Sequence, residues 1–382
     1  MRNRRLGIGI ISGLLLVNWF AAAVHAAPSY SIIALDILPV ASGEAPFGYR
    51  SFAYALNSQG VVVGESTLDT SGNIGQTRPV MWNNSNEAEE LWADQNFGGK
   101  ALGINDAGFV IGRYGSGSGI PQPGSGIPDG GGFIWDPTTR SFADLGDLGG
   151  QRVEATGIND LGQVVGSSEN FESDPRAFIW NATGGMLDLG TLGGNTSRGT
   201  AINAIGQVIG YSTLANGSQH PFIWDATNGM RDLGTLDSQG DVQSFAFAVN
   251  DGAEVVGVEF GSGGFIWDAA LGIRSIGNIV PSDINNFGQV VGGIGMDALF
   301  WEQDAGLRNL QDLIPSGSGW DLSGANAIND AGQIVGVGFF NDQIRGFLMT
   351  PIPEPHTGLL CMAGVALMPV ARRMRRTRPS YM

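Results

Sequence analysis

Cysteine occurs once in this chain of 382 residues, at Cys361, so no disulfide can form within it. Between residues 27 and 351 histidine occurs only as His220 and lysine only as Lys100. These scarcities exclude a cysteine nucleophile and a histidine-rich zinc site from that segment. A Ser-His-Asp triad would have to use His220, but His220 stands next to a strand and reads as a surface residue. A single lysine leaves little for Schiff-base or Ser-Lys chemistry. Charged residues make up only 15% of the chain and helix formers are scarce. Glycine is plentiful, at 61 residues, yet shows no three-residue period of the collagen kind. Short apolar runs punctuated by Gly point to an all-β protein.

Both ends read as targeting segments. Residues 1–26 have a basic start, an apolar stretch from Leu6 to Ala23, and Val24-His25-Ala26 as a small-residue cleavage site. A secretory signal cut after Ala26 is expected; an uncut membrane anchor is the alternative. Residues 352–382 hold Pro353-Glu354-Pro355, then an apolar run from Gly358 to Ala371, then Arg372, Arg373, Arg375 and Arg376. The run is short for a permanent span, and Pro369 weakens it as a helix. Basic residues beyond both apolar stretches keep the two tips cytoplasmic and send everything between them across the membrane.

In order and spacing this tail resembles the PEP-CTERM sorting signal of Gram-negative bacteria. The resemblance implies transient inner-membrane anchoring, cutting near the Pro-Glu-Pro by an exosortase-type enzyme, and a cell that makes exopolysaccharide. A plain single-span tail anchor is the alternative. Eight of the 20 basic residues lie in the two ends, where Glu354 is the one acid. Residues 27–351 therefore carry 12 basic against 35 acidic side chains, a net charge of −23. Such a surface repels nucleic acid and anionic lipid. No cofactor is expected, calcium on the acidic surface being the one exception weighed.

Within that central segment an Asn followed seven residues later by Gly recurs seven times. It starts at Asn57, Asn105, Asn159, Asn203, Asn250, Asn285 and Asn329, with a mean period of about 45 residues, in the range of propeller blades. The stretch GINDLGQVVG, 157–166, is typical. Asn at the first turn position and Gly at the fourth suit a type I turn closed by a left-handed residue. Six units have that Gly; the fifth reads NDGAEVVG and predicts a different turn. Adjacent valines point to opposite faces of a strand, so both faces must be covered. A second apolar run follows, ending in Trp82, Trp135, Trp180, Trp224, Trp267 or Trp301, whose bodies are suited to sealing neighbouring sheets; in the seventh unit Thr350 stands where Trp is due. Third and fourth runs, of the type LDLGTLGG and ATGIN, complete each unit.

Four short strands per unit, seven times over, predict a seven-bladed β-propeller over residues 27–351, with an open β-solenoid as the alternative. The last unit lacks its DLG strand, and YSIIALDIL near the start resembles the missing piece, so the N-terminal strand is expected to close the ring. Units of the type AFIWD…DLGTLGG…GINDLGQVVG resemble the HAF repeats of bacterial extracellular proteins. That resemblance implies secretion and a repeat fold, and no defined chemistry.

Acids sit at recurring places: Asp106, Asp160, Asp251 and Asp330 after the turn Asn, and Asp144, Asp188 and Asp232 before Leu-Gly. Recurrence marks them as turn-capping groups, and no pair of acids breaking the repeat stands out. The glycine-rich insertion 113–132 has no Lys-Ser/Thr after it and reads as a flexible surface loop, not a phosphate loop. The expectation is a secreted, non-enzymatic protein of the cell surface or exopolysaccharide (biofilm) matrix, serving adhesion, scaffolding or carbohydrate binding. The alternative is a carbohydrate-active hydrolase or lyase using Asp/Glu pairs in the propeller mouth. A cation-binding matrix protein is a third reading.

Overall fold

Seven four-stranded antiparallel sheets follow one another along the chain. The computed structural model describes residues 29–38, 50–70, 73–83, 86–92, 97–116, 130–237 and 242–353. In each blade, strand a precedes the repeat Asn, b carries Val-Val-Gly or its equivalent, c ends at the Trp position, and d is the outer strand, which in blades 2 to 4 precedes Leu-Gly. In blade 3 these are Gly149–Ile158, Val164–Asn170, Pro175–Asn181 and Gly185–Asp188. The a strands of successive blades touch one another around the axis. Val164 and Val165 are both fully buried, Val164 against Ile111 of blade 2 and Val165 against Phe222 of blade 4. Adjacent valines thus face opposite neighbours, which is why the repeat has an unbroken apolar run rather than alternation.

Blade 7 contributes only Trp320–Ile328, Ile334–Phe340 and Gln343–Pro351 from its own unit. Its fourth strand is Tyr30–Ala34, antiparallel to the third, with Tyr30 opposite Pro351 and Ala34 opposite Phe347. The chain then leaves that strand as it does in blades 2 and 3. Leu35 N–H donates to Gly346 O (2.9 Å) and Leu38 N–H to Ser66 Oγ of blade 1 (3.0 Å). In blade 3, Leu189 N–H donates to Ala177 O and Leu192 N–H to Ser212 Oγ of blade 4, each at 2.9 Å. The residues Ala34–Leu38 therefore do the work of a DLGTL segment, and the fold is a closed ring rather than an open solenoid. Among the described residues there is no α-helix, only a 3-10 turn at Leu310–Leu313, and no helix long and apolar enough to cross a membrane.

The a–b turn has the geometry its residues favour. Gly162 N–H donates to Asn159 O (3.0 Å), Asn159 N–H donates to Gln163 O (3.1 Å), and Gly162 has φ +72°. The fifth unit does not differ, contrary to expectation. Ala253 N–H donates to Asn250 O (3.1 Å), and Ala253 itself takes the left-handed conformation, φ +60°. The six sister turns hold that shape strongly enough that the ring imposes it on an alanine. Ala253→Gly is expected to raise stability by about 0.5–1 kcal/mol, read as a shift of the urea midpoint at unchanged slope.

The Gly that ends each repeat has a different cause. Strand a bulges opposite it, with a register shift between Gly199 and Ala201 in blade 4 and at the equivalent place in every other blade. The bulge turns a carbonyl toward strand b. A Cβ on Gly210 would lie 1.9 Å from Arg198 O, and on the six equivalent glycines 1.9–2.2 Å from the matching oxygen. None of the seven has a positive φ, so space alone demands glycine there.

Each Trp packs across a blade interface into the preceding blade. Trp135 joins Val63 of blade 1, Trp180 joins Ile111 of blade 2, and Trp224 joins Val165 of blade 3. Likewise Trp267 joins Ile209, Trp301 joins Val256, and Trp82 joins Val335 of blade 7. In blade 7 the Trp position belongs to Met349, not Thr350. Met349 pairs with Ile334 as Trp180 pairs with Val164, and it is fully buried.

Candidate functional site

The a–b turns converge on one end of the central channel, and there the seven repeat Asn side chains close a ring. Asn57 Nδ2 donates to Asn105 O, Asn105 to Asn159 O, and so on through Asn329 to Asn57 O, at 3.1–3.3 Å. Each side-chain oxygen serves its own turn: Asn159 Oδ1 accepts from Leu161 N–H (3.1 Å) and Gln163 N–H (3.0 Å). None of the seven is more than 8% exposed. An amide fits here because it is donor and acceptor at once; Asp would supply no donor and Ala neither.

The acids after those Asn residues are bound into the same frame. Asp106 Oδ1 accepts from Ser58 N–H, Asp160 from Asp106 N–H, Asp251 from Ala204 N–H and Asp330 from Asn286 N–H, all at 2.8–2.9 Å. The strand-d acids each cap a turn: Asp144, Asp188 and Asp232 accept from Gly146, Gly190 and Gly234 N–H at 2.6–2.8 Å. These are blade-to-blade ties and turn caps. Among the described residues no three His, Cys, Asp or Glu side chains come together to hold a metal ion.

One acid departs from the repeat. Asp283 stands in blade 6 where other a strands have Ala or Gly, accepting from Ile284 N–H and, across the interface, from Ile328 N–H, each at 2.9 Å. Burial pushes its carboxyl up to about 7, with Asp330 adding to the rise and the two N–H groups opposing it, although the residue as a whole keeps some solvent exposure. A folded-state pKa raised above the ordinary carboxylate value means stability is fully present below about pH 4 and is lost as pH rises through 7. Asp283→Asn keeps the acceptor and removes the charge. It is expected to exceed the parent by about 1–3 kcal/mol at pH 8 and to match it at pH 4, measured by denaturant unfolding at both pH values.

His220 is not on the surface. It is buried, with Nδ1 at 2.9 and 3.1 Å from the two oxygens of Asp232. Ser212 lies directly opposite it in the sheet, but its hydroxyl donates to Thr196 O (3.0 Å) and accepts from Leu192 N–H (2.9 Å). The His–Asp pair therefore holds strands together, and Ser212 is committed to the backbone.

The other end of the ring, where the b–c hairpins lie, gathers residues that do not recur. Five positions before the repeat Asn and eight after it are cross-strand partners in every blade. In blades 1 to 4 these pairs are Phe52 with Glu65, Lys100 with Arg113, Glu154 with Ser167, and Arg198 with Tyr211. In blades 5 to 7 they are Phe245 with Val258, Val280 with Gly293, and Gly324 with Val337. One arc of the ring is charged and the other apolar.

Along the charged arc contacts run from blade to blade. Lys100 Nζ meets Glu65 Oε1 (2.9 Å) and Tyr54 Oη (3.2 Å), while Tyr54 donates to Glu65 (2.6 Å). Burial, then the bond to Glu65, raises the Tyr54 pKa and holds the phenol protonated. Arg113 Nε lies 3.8 Å from Glu154, and Arg198 Nη1 donates to Ser167 (3.1 Å). Tyr211 then meets Phe245 edge-on, at 4.8 Å between ring centres, and Phe245 meets Phe260 at 5.2 Å. At the hairpin tips Phe171, Phe260 and Met296 are 89%, 65% and 64% exposed. A cleft of about 310 Å³ between blades 2, 3 and 4 is lined by Arg113, Arg152, Glu154, Glu169 and Arg198.

Sequence reasoning missed this site. Its signal was there, in the two columns of the repeat that change from unit to unit beside an unchanging Gly. The processing signals are a separate matter. Ala26, Glu354, Pro355, Arg372, Arg373, Arg375 and Arg376 lie outside the described residues, as does most of the glycine-rich insertion. Pro353 is described, exposed, two residues beyond the last strand.

No protein-family model matches the chain, and neither does any curated protein. Solved structures resemble it in fold. YCF48 bound to D1 peptide aligns over 86% of this chain and 98% of its own, at 9% identity and a TM-score of 0.49. The Trypanosoma rangeli sialidase aligns over 89% and 60%, at 9% identity and 0.45. TolB from Acinetobacter baumannii aligns over 58% of this chain at 15% identity and 0.40, the chain spanning about half (51%) of TolB's length. At such identities the likeness extends to the fold alone.

Proposed function

We propose that this chain is an exported, non-enzymatic β-propeller of the cell surface or exopolysaccharide matrix, which binds carbohydrate through the b–c end of its ring. The observation that carries the reading is the meeting, at that end, of non-recurring charged side chains with the exposed aromatic tips Phe171 and Phe260. Sugar rings are bound by apolar faces such as Phe171 and Phe260, together with polar groups that fix orientation. The opposite end offers the Asn ring, acids already committed to backbone N–H groups, and Arg–acid pairs closed on themselves beside exposed Leu161, Ile205 and Phe287. A non-enzymatic role accords with the commitments found: recurring acids cap turns, Ser212 and His220 tie strands, and Lys100 is held by Glu65 and Tyr54. Export through the residue 1–26 signal, and cutting near Pro353-Glu354-Pro355 by an exosortase-type enzyme, place the ring outside the inner membrane in this reading. Every described blade is completed within residues 29–353, so the propeller is a self-contained unit for experiment. A glycan array and a sugar-release assay on residues 27–353 test the proposal. Retention on glycans without fragments supports it; released fragments overturn the non-enzymatic part, and an array with no bound glycan overturns the carbohydrate part.

A further inference from the structure

Resting on that reading, we infer that the cleft between blades 2, 3 and 4 takes an acidic polysaccharide, its uronate carboxylates held by Arg113, Arg152 and Arg198. The chain carries a net charge of −16, and most of its rim arginines are spent locally. Arg231 pairs with Asp225, Arg274 with Asp268, Arg308 with Glu302 and Arg140 with Glu89, all beside c–d turns. The three cleft arginines differ. Arg113 and Arg152 approach acids only through Nε, at 3.8 and 4.0 Å, too long for a hydrogen bond, and are 49% and 79% exposed. Arg198 meets a neutral hydroxyl and no carboxylate among the described residues.

Three guanidinium groups around one cleft of about 310 Å³ present planar donor forks to incoming oxygens. A carboxylate matches such a fork with two parallel hydrogen bonds, whereas a neutral hydroxyl uses one. Phe171 stands at the tip of the strand that carries Glu169 in the cleft, placing an apolar ring beside the charged groups, as a pyranose with an equatorial acid requires. Nucleic acid, the other common polyanion, is disfavoured, since a strongly acidic protein surface repels a dense phosphate backbone over a Debye length. A uronate chain carries at most one charge per sugar and exposes apolar sugar faces between charges.

Binding of the propeller, residues 27–353, is measured by calorimetry with polygalacturonate, fully methyl-esterified polygalacturonate, dextran sulfate and dextran. Polygalacturonate is expected to bind, at least tenfold more tightly than its methyl ester, and to weaken as salt is raised. Arg198→Gln and Arg152→Ala each reduce that affinity about tenfold, and Arg198→Lys recovers part of it. Arg231→Ala, on the opposite end, leaves it unchanged. Arg152 is so exposed that its replacement does not threaten folding, which keeps the test sound if Arg198 variants fail to fold. Equal binding of the methyl ester, binding of dextran alone, or preference for dextran sulfate overturns the uronate assignment and leaves carbohydrate binding standing. Absence of binding to all four, with an empty glycan array, overturns both.

Discussion

Gly210→Ala is expected to cost about 3 kcal/mol or more, although it adds a single methyl group to a strand. The added Cβ would fall 1.9 Å from Arg198 O and 2.9 Å from the carbonyl carbon, both backbone atoms that cannot swing aside. Relief requires either dissolving the bulge in strand a or pushing strand b outward. The first breaks the inter-blade bonds of the inner strand, such as Thr200 Oγ1 to Ala246 O (3.0 Å). The second opens the packing of Val208 and Ile209, both fully buried against opposite neighbours. Overpacking a relaxed core typically costs 1–3 kcal/mol, so a clash with no side chain to yield belongs at or above the top of that range. Gly184→Ala serves as the control: its Cβ meets only the Asn181 side chain at 3.4 Å, and a change within about 0.5 kcal/mol is expected. The ring also supplies replicates, since Gly64→Ala and Gly166→Ala meet the same distance. Denaturant midpoints for the set decide it. A Gly210→Ala midpoint equal to that of the parent would show that strand a moves freely and that the glycine has another cause.

That glycine illustrates how legible the fold was, and where legibility stopped. Its recurrence counted the blades, and with them came the N-terminal closing strand, because both depend only on spacing. Its cause could not be read, because the clash comes from a carbonyl of strand a, twelve residues earlier, turned by a bulge that leaves no mark in the residues of strand b. Ala253 and Met349 show the complementary limit. Local rules assigned Ala253 a different turn and Thr350 the Trp position, but the sheet register and six identical neighbours overrode both. The candidate site was hidden for a related reason. A search for recurrence rewards sameness, and Lys100, Arg113, Glu154 and Arg198 matter because they differ from blade to blade at aligned positions. His220 was misplaced because the pairing with Asp232 joins two strands whose register the sequence does not display.

Removing residues 27–38 is expected to abolish most of the stability of the ring, because that segment is both the last strand of blade 7 and the seal against blade 1. Tyr30, only 2% exposed, packs among Phe300, Leu313, Trp320 and Met349. Burial raises the Tyr30 phenol to about 12, so it stays neutral in that apolar setting across physiological pH. Leu35 and Leu38, 1% and 5% exposed, fill the seam with Val62, Trp82, Ala327 and Val335. At about 1.5–3 kcal/mol for each fully buried large side chain, these three alone contribute roughly 5–9 kcal/mol. That is comparable to the whole stability of an ordinary domain, about 5–15 kcal/mol. Polar ties are lost too: Ser51 Oγ donates to Leu35 O (2.9 Å) and Trp82 Nε1 to Asp36 O (2.7 Å), and both donors are left in apolar surroundings. The exposed edge of Gln343–Pro351 then becomes a template for pairing with another chain, so the shortened protein should self-associate as well as melt early. Light scattering and thermal unfolding measure both effects. Adding a peptide of residues 27–38 in trans should restore the monomer and raise the melting point, since the groove it fills is shaped by the other blades. If the shortened chain stays monomeric with the parent's melting point, closure does not depend on this strand, and the remaining contacts between blades 7 and 1, among them Asn329 Nδ2 to Asn57 O and Trp82 against Val335, suffice.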